Sequence, residues 1–159
     1  MKKNQTIKTD NAYDDSYIRE VRVNYVSTSA KPFRISGPDD VANFVRSILT
    51  DNSREHFVAL YLDGSHRVAS YSIVSIGSAN QASVHPREVF QRAVLVGATA
   101  IAIAHNHPSG DLSPSNADRE VTVKIRDAGK ILGITVLDHV IITDISQHSL
   151  REDSKLWND

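Results

Sequence analysis

The feature that most restricts the fold is a change of character at position 105. Ala98-Thr99-Ala100-Ile101-Ala102-Ile103-Ala104 is an apolar run with the length and isoleucine content of a strand, and it stops at His105-Asn106-His107-Pro108-Ser109-Gly110. A short apolar run bounded by turn residues reads as a strand buried on both faces, so the chain has to build a sheet with cover on each side. Side chains two apart on a strand point the same way. His105 and His107 therefore emerge together where the strand gives way to a loop.

Ser113-Pro114-Ser115 reads as a helix start, with an apolar stripe at Ala117, Val121, Ile125, Ala128 and Leu132 behind it. Ser115 and Asp118 share a face of the first turn, and the loop before them can fold that turn back over the histidines. Two imidazoles and one carboxylate, with a position left for water, make a ligand set that suits catalytic zinc. Each residue also has an ordinary role. A histidine at a strand end is a polar loop residue, Ser115-x-x-Asp118 is a capping box, and Asn106, Pro108 and Gly110 are turn residues. Those roles leave the joint spacing after a buried strand unexplained.

The other elements follow from periodicity. Residues 1–16 are polar and aperiodic and read as a flexible tail, with the domain running from 17 to 159; Ile18 to Tyr25 alternates as a strand would. Gly37-Pro38-Asp39-Asp40 opens a helix with Val41, Phe44, Val45, Ile48 and Leu49 on one stripe. Glu55 to Leu62 is apolar on both faces, and Asp63-Gly64 turns it back as a hairpin into Arg67 to Ile76. Pro86 to about Val96 is a second helix, a third ends near Gly133, and Ile134 to Thr143 is a last strand. The expected fold is a single α/β domain whose mixed, mostly antiparallel sheet is flanked by about three helices.

Composition narrows the function. A chain of 159 residues suffices for one domain, and a net charge of −1 gives no positive field to draw it to nucleic acid or membrane. Without cysteine there is neither disulfide nor thiolate chemistry. The first residues lack the apolar core of a signal peptide and no run approaches membrane-spanning length, so a cytoplasmic location is expected.

A hydrolase also needs a base. The glutamates are Glu20, Glu55, Glu88, Glu120 and Glu152. Glu120 points about 200° around its helix from Asp118, and Glu88 falls in a first helical turn, where the helix dipole favours a carboxylate. Glu55 opens a buried strand, where an ionised group is costly without a partner. If that strand runs antiparallel to the one ending at His105, Glu55 lies at the histidine end of the sheet. Its ordinary role would be a strand end in solvent. His56, His66 and His148 read as surface or partly buried residues, His148 in a polar segment. Asp138-His139, a polar pair within an apolar strand, fits two roles: orienting a ligand imidazole from behind, or hydrogen bonding within the core, the more common one.

His105-x-His107, seven residues, Ser115, two residues and Asp118 resemble the zinc motif of the JAMM metalloproteases, or MPN-plus domains, with every spacing kept. His105-Asn106-His107-Pro108-Ser109-Gly110, together with His85-Pro86-Arg87-Glu88 and Leu137-Asp138-His139, is similar to the bacterial RadC family, a branch of that superfamily. The resemblance runs from about Pro32 to Leu150. It implies an MPN/JAB fold, akin to cytidine deaminases, and one zinc per chain held by His105, His107 and Asp118. It further implies Ser115 stabilising an oxyanion, and a glutamate base at a place in the chain that Glu55 matches. The implied reaction is hydrolysis of a peptide or isopeptide bond in a peptide or protein substrate. Two rivals accompany the resemblance. The RadC name has carried a DNA-repair label, so action on nucleic acid is one, although the charge does not support it. A non-catalytic MPN scaffold is the other, and the intact ligand set weighs against it. The chain is expected to be a short form without the helix-hairpin-helix region of longer RadC proteins, like those carried on mobile elements.

Overall fold

A computed structural model describes residues 31–77, 84–152 and 154–157. The tail expected over 1–16 and the strand expected over 18–25 lie outside the described residues. The elements run α1 (Pro38–Ile48), β1 (Glu55–Leu62), β2 (Val68–Gly77), α2 (Pro86–Leu95), β3 (Ala100–Asn106), α3 (Asn116–Leu132), β4 (Thr135–Ile142), β5 (Gln147–Ser149) and α4 (Ser154–Trp157). The strands form one sheet in the order β2-β1-β3-β4-β5. Only β3 and β4 are parallel, joined through α3, and the other neighbours are antiparallel. The fold is the α/β domain expected.

Both faces of β1 and β3 are covered, as their unbroken apolar character requires. Phe57, Ala59, Tyr61, Ile101 and Ile103 pack with Val89 and Phe90 of α2 and Ile125 of α3 on one side. Val58, Leu60, Leu62 and the small Ala100, Ala102 and Ala104 face Val41, Ala42 and Val45 of α1 on the other. Each fully buried aliphatic of this kind contributes about 1.5–3 kcal/mol. Helix starts follow the sequence: Pro38 and Pro86 sit in first turns, and the His85 ring caps α2 by accepting from the Arg87 N–H at 3.1 Å.

The structure differs from expectation in four places. The hairpin after β1 is a longer loop in which His66, not Gly64, takes positive φ, while Asp63 Oδ1 accepts from the N–H groups of Ser65 and Arg67. The buried face of α3 carries Asp118, Thr122, Ile125 and Gly129, whereas Ala117 and Leu132 are exposed. His148 belongs to β5, which pairs with the end of β4. His56 is fully inside, its Nδ1 within 2.9 Å of the Arg54 carbonyl.

Candidate metal centre

β1 and β3 run antiparallel with Phe57 opposite His105, which brings the first residue of β1, Glu55, to the end where β3 finishes. Asn106 fixes that corner. Its Oδ1 accepts from the His56 N–H at 2.7 Å and its Nδ2 donates to the Arg54 carbonyl at 2.9 Å, so one side chain clamps the backbone on both sides of Glu55. His107 continues beyond the strand, its N–H donating to the Ile142 carbonyl, and the chain then turns through Gly110 at φ 81. That conformation suits glycine.

Asp118 arrives from α3 through a capping box. Ser115 Oγ accepts from the Asp118 N–H, while the Ser115 N–H and hydroxyl both donate to Asp118 Oδ2, at 2.7 and 2.6 Å. The cap therefore aims the carboxylate. Asp118 Oδ1 is 3.2 Å from His105 Nε2, Oδ2 is 3.9 Å from His107 Nε2, and the two imidazole Nε2 atoms are 2.9 Å apart. Glu55 joins them, with ligand atoms of all four residues within 4.8 Å of one another.

The hydrogen-bond network assigns the imidazole tautomers. The Thr122 hydroxyl donates to the Asp118 carbonyl at 2.5 Å, so at its 2.5 Å contact with His139 Nδ1 it accepts. His139 then carries its proton on Nδ1, and its Nε2 accepts from His105 Nδ1 at 2.8 Å. His107 Nδ1 donates to the Asp111 carbonyl at 2.6 Å. With these tautomers each ring turns an Nε2 lone pair toward the carboxylate. Burial, partly countered by the Asp118 carboxylate and reinforced by His107, pushes the His105 imidazole down to about 4. Phe57 stacks on His105 and meets His139 edge-on, sealing both from water. Burial first, then His105 and His107, hold His139 well below its ordinary value.

Three lone-pair donors converging on one point suit a cation. Ligand atoms about 2.0–2.1 Å from a tetrahedral ion stand roughly 3.3 Å apart, and the 2.9, 3.2 and 3.9 Å separations bracket that edge. Two nitrogens and an oxygen are zinc's usual donors. The residues present fit a zinc ion. Burial, with Asp118 pushing the same way and His107 opposing, raises the Glu55 carboxyl above its ordinary value, toward the range useful to a base. Glu55, His107, Ser115 and Asp118 line one cleft of about 430 Å³ that also takes in Gly77, Pro108 and Asp111.

The structure thus brings together Glu55, His105, His107, Ser115 and Asp118. His139 lies directly behind His105. Asp138 does not: its carboxylate accepts from the Ser149 hydroxyl and from the N–H groups of His139 and Arg151, tying β5 to β4, and burial raises its pKa. Thr122 and Asn106 were not singled out from sequence for the site. Thr122 is four residues after Asp118 on one helix face, which is a usable signal; Asn106 gives none beyond its place between the histidines.

A single α/β sheet carrying a His-x-His pair at a strand end, an aspartate from the next helix and a glutamate from the antiparallel neighbour defines a JAB-type domain whose side-chain cluster could hold a metal ion. Comparison with known sequences agrees: residues 35–156 match the RadC-like JAB domain. A UPF0758 protein of Caldanaerobacter subterraneus subsp. tengcongensis is 45% identical over 127 residues, 80% of this chain and 54% of its own length. Another, from Trichlorobacter lovleyi, is 48% identical over 123 residues, 77% of this chain and 54% of its own. A third, from Methanosarcina mazei, is 43% identical over 120 residues, 76% and 52%. The chain therefore belongs to the RadC-like JAB domain family, within the JAMM-type superfamily, and spans about half the length of these relatives. Among the described residues no helix is long and apolar enough to cross a membrane.

Proposed function

We propose that this domain is a zinc-dependent hydrolase of the JAMM type that cleaves a peptide or isopeptide amide bond. The observation that carries the reading is the convergence of His105 Nε2, His107 Nε2 and Asp118 beside a carboxyl, Glu55, whose pKa is raised. His105, His107 and Asp118 would hold the metal. Bound zinc lowers the pKa of a coordinated water toward about 7 and polarises a carbonyl as a Lewis acid.

Glu55 lies within reach of the ligands yet is held by the β1 backbone, where Asn106 fixes its approach. Its carboxylate takes the proton of the attacking water and returns it to the amide nitrogen as the C–N bond breaks. The Ser115 hydroxyl lines the same cleft; to donate to the developing oxyanion its proton turns from Asp118 Oδ2, while the Ser115 N–H keeps that oxygen aimed. The buried His139 and Phe57 keep water from the rear of His105.

Elemental analysis of the purified protein beside His107→Ala and Glu55→Gln tests the assignment. About one zinc per chain in wild type and Glu55→Gln, with loss in His107→Ala, is expected. Little metal in wild type after zinc is supplied would sink the hydrolase reading.

A further inference from the structure

We propose that the cavity between the C-terminal end of α1 and the β4–β5 turn receives a large apolar side chain of the substrate, next to the bond broken at the metal centre. This inference rests on the hydrolase reading and adds the kind of residue selected. The cavity measures about 310 Å³ and shares a wall, His107-Pro108, with the metal cleft. That volume lies at the small end of ligand pockets and suits one residue rather than a folded partner.

Its position follows from topology. β3 and β4 are the parallel pair, and their C-terminal ends, Asn106 and Ile142, stand side by side beneath it. In open α/β sheets the crevice beyond the carboxyl ends of such strands is where ligands sit. Here one side of that crevice leads to the metal ligands and the other to the cavity.

The lining decides what enters. Leu49, Pro108 and Ile145 supply its accessible apolar surface, with the buried Val45 and Ile142 behind them. The neighbouring polar groups are engaged internally. Asn106 spends both ends of its amide on β1, and Asn52 donates to Asp144. Arg46 donates to the carbonyls of Thr143 and Ser146 and to Gln147 Oε1. These bonds also brace the turn that carries Ile145, an isoleucine left 93% exposed on the cavity rim. A braced turn holding an apolar side chain in water beside an apolar recess offers contact area rather than hydrogen bonds, so it selects side chains by size and hydrophobicity.

Two measurements test this and separate it from the hydrolase reading. In ¹⁵N NMR titrations of the zinc-loaded chain, N-acetyl-leucinamide should shift the amides of Leu49, Ile142 and Ile145, and N-acetyl-glycinamide should not. Ile145→Ser should weaken that binding about fivefold while zinc content stays the same. In a peptide library, the ratio of cleavage for peptides with leucine against glycine at one position beside the scissile bond should fall by a similar factor in Ile145→Ser. Equal shifts from both amides, or cleavage with an unchanged ratio in the variant, overturns the pocket and leaves the hydrolase. Selective shifts without cleavage of any peptide support the pocket and overturn the hydrolase. Dilution-dependent shifts at these residues without ligand mark a second copy of the chain as occupant and overturn the proposal.

Discussion

His105 depends on residues that never face the cleft. Its lone pair is presented only because its Nδ1 proton goes to His139, and His139 can accept only because Thr122 takes the proton on the other side. Thr122→Val removes that acceptor at nearly constant volume and leaves a buried N–H unpaired, so His139 is driven to the other tautomer. Zinc affinity, measured by competition with a chromogenic chelator, should drop about 10–100-fold in Thr122→Val and be largely restored in Thr122→Ser; an unchanged affinity in the valine variant contradicts the relay. The same burial sets a pH signature. His105 and His139 stay neutral when folded, His105 down to about 4, whereas in the unfolded chain they charge below roughly pH 6.5. Their contribution to stability is thus complete above that pH and drains away as pH falls toward the folded value. Ring ¹⁵N shifts of the metal-free protein should keep the neutral pattern for both residues at pH 5.5, and a charged pattern for either would refute the assigned network.

Among the elements, α3 and β4 carry the residues behind His105, Thr122 and His139, and they are where the sequence is hardest to read. The alternation of β1 and the apolar run of β3 are legible because both faces are simply buried, and the ligands stand at the ends of those strands. The stripe of α3 misleads because its buried face includes Asp118 and Thr122, polar residues satisfied inside the site, while Leu132 stays outside. β4 hides a bulge: Ile101 pairs with Val136 but Ile103 with His139, so one extra residue turns His139 to the α3 side and frees Asp138 for Ser149. No alternation rule reveals that inversion. β5 is three residues of polar sequence paired with β4, too short to show a period. The close approach of α3 to β4 rests on Gly129, where an added Cβ would stand 2.6 Å from the Ile134 carbonyl oxygen and 2.9 Å from Val136 Cγ2. Gly129→Ala should destabilise the fold by about 1–2 kcal/mol despite alanine's better helix propensity, seen as a lower urea midpoint at unchanged slope. A raised midpoint would mean that the contact is not tight.

At the scale of the whole molecule, the proposed metal ligands join β3 to α3, with Glu55 added from β1, so one ion would tie three elements that are distant in sequence. Binding that favours the folded state adds stability by mass action, about 4 kcal/mol when free zinc is a thousandfold above Kd. Chelation should therefore lower the Tm of wild type by about 10 °C and leave His107→Ala nearly where it was; equal shifts in both would place the metal elsewhere. The central claim, hydrolysis by this constellation, is met most directly by mass-spectrometric scoring of a peptide and isopeptide library in ¹⁸O-labelled water. The protein is compared zinc-loaded as wild type and as Glu55→Gln. The account predicts wild-type products that carry one ¹⁸O at the new carboxyl and a loss of at least about 100-fold in Glu55→Gln at equal zinc content. Equal rates in the two proteins, or no product from a fully loaded wild type, would contradict it.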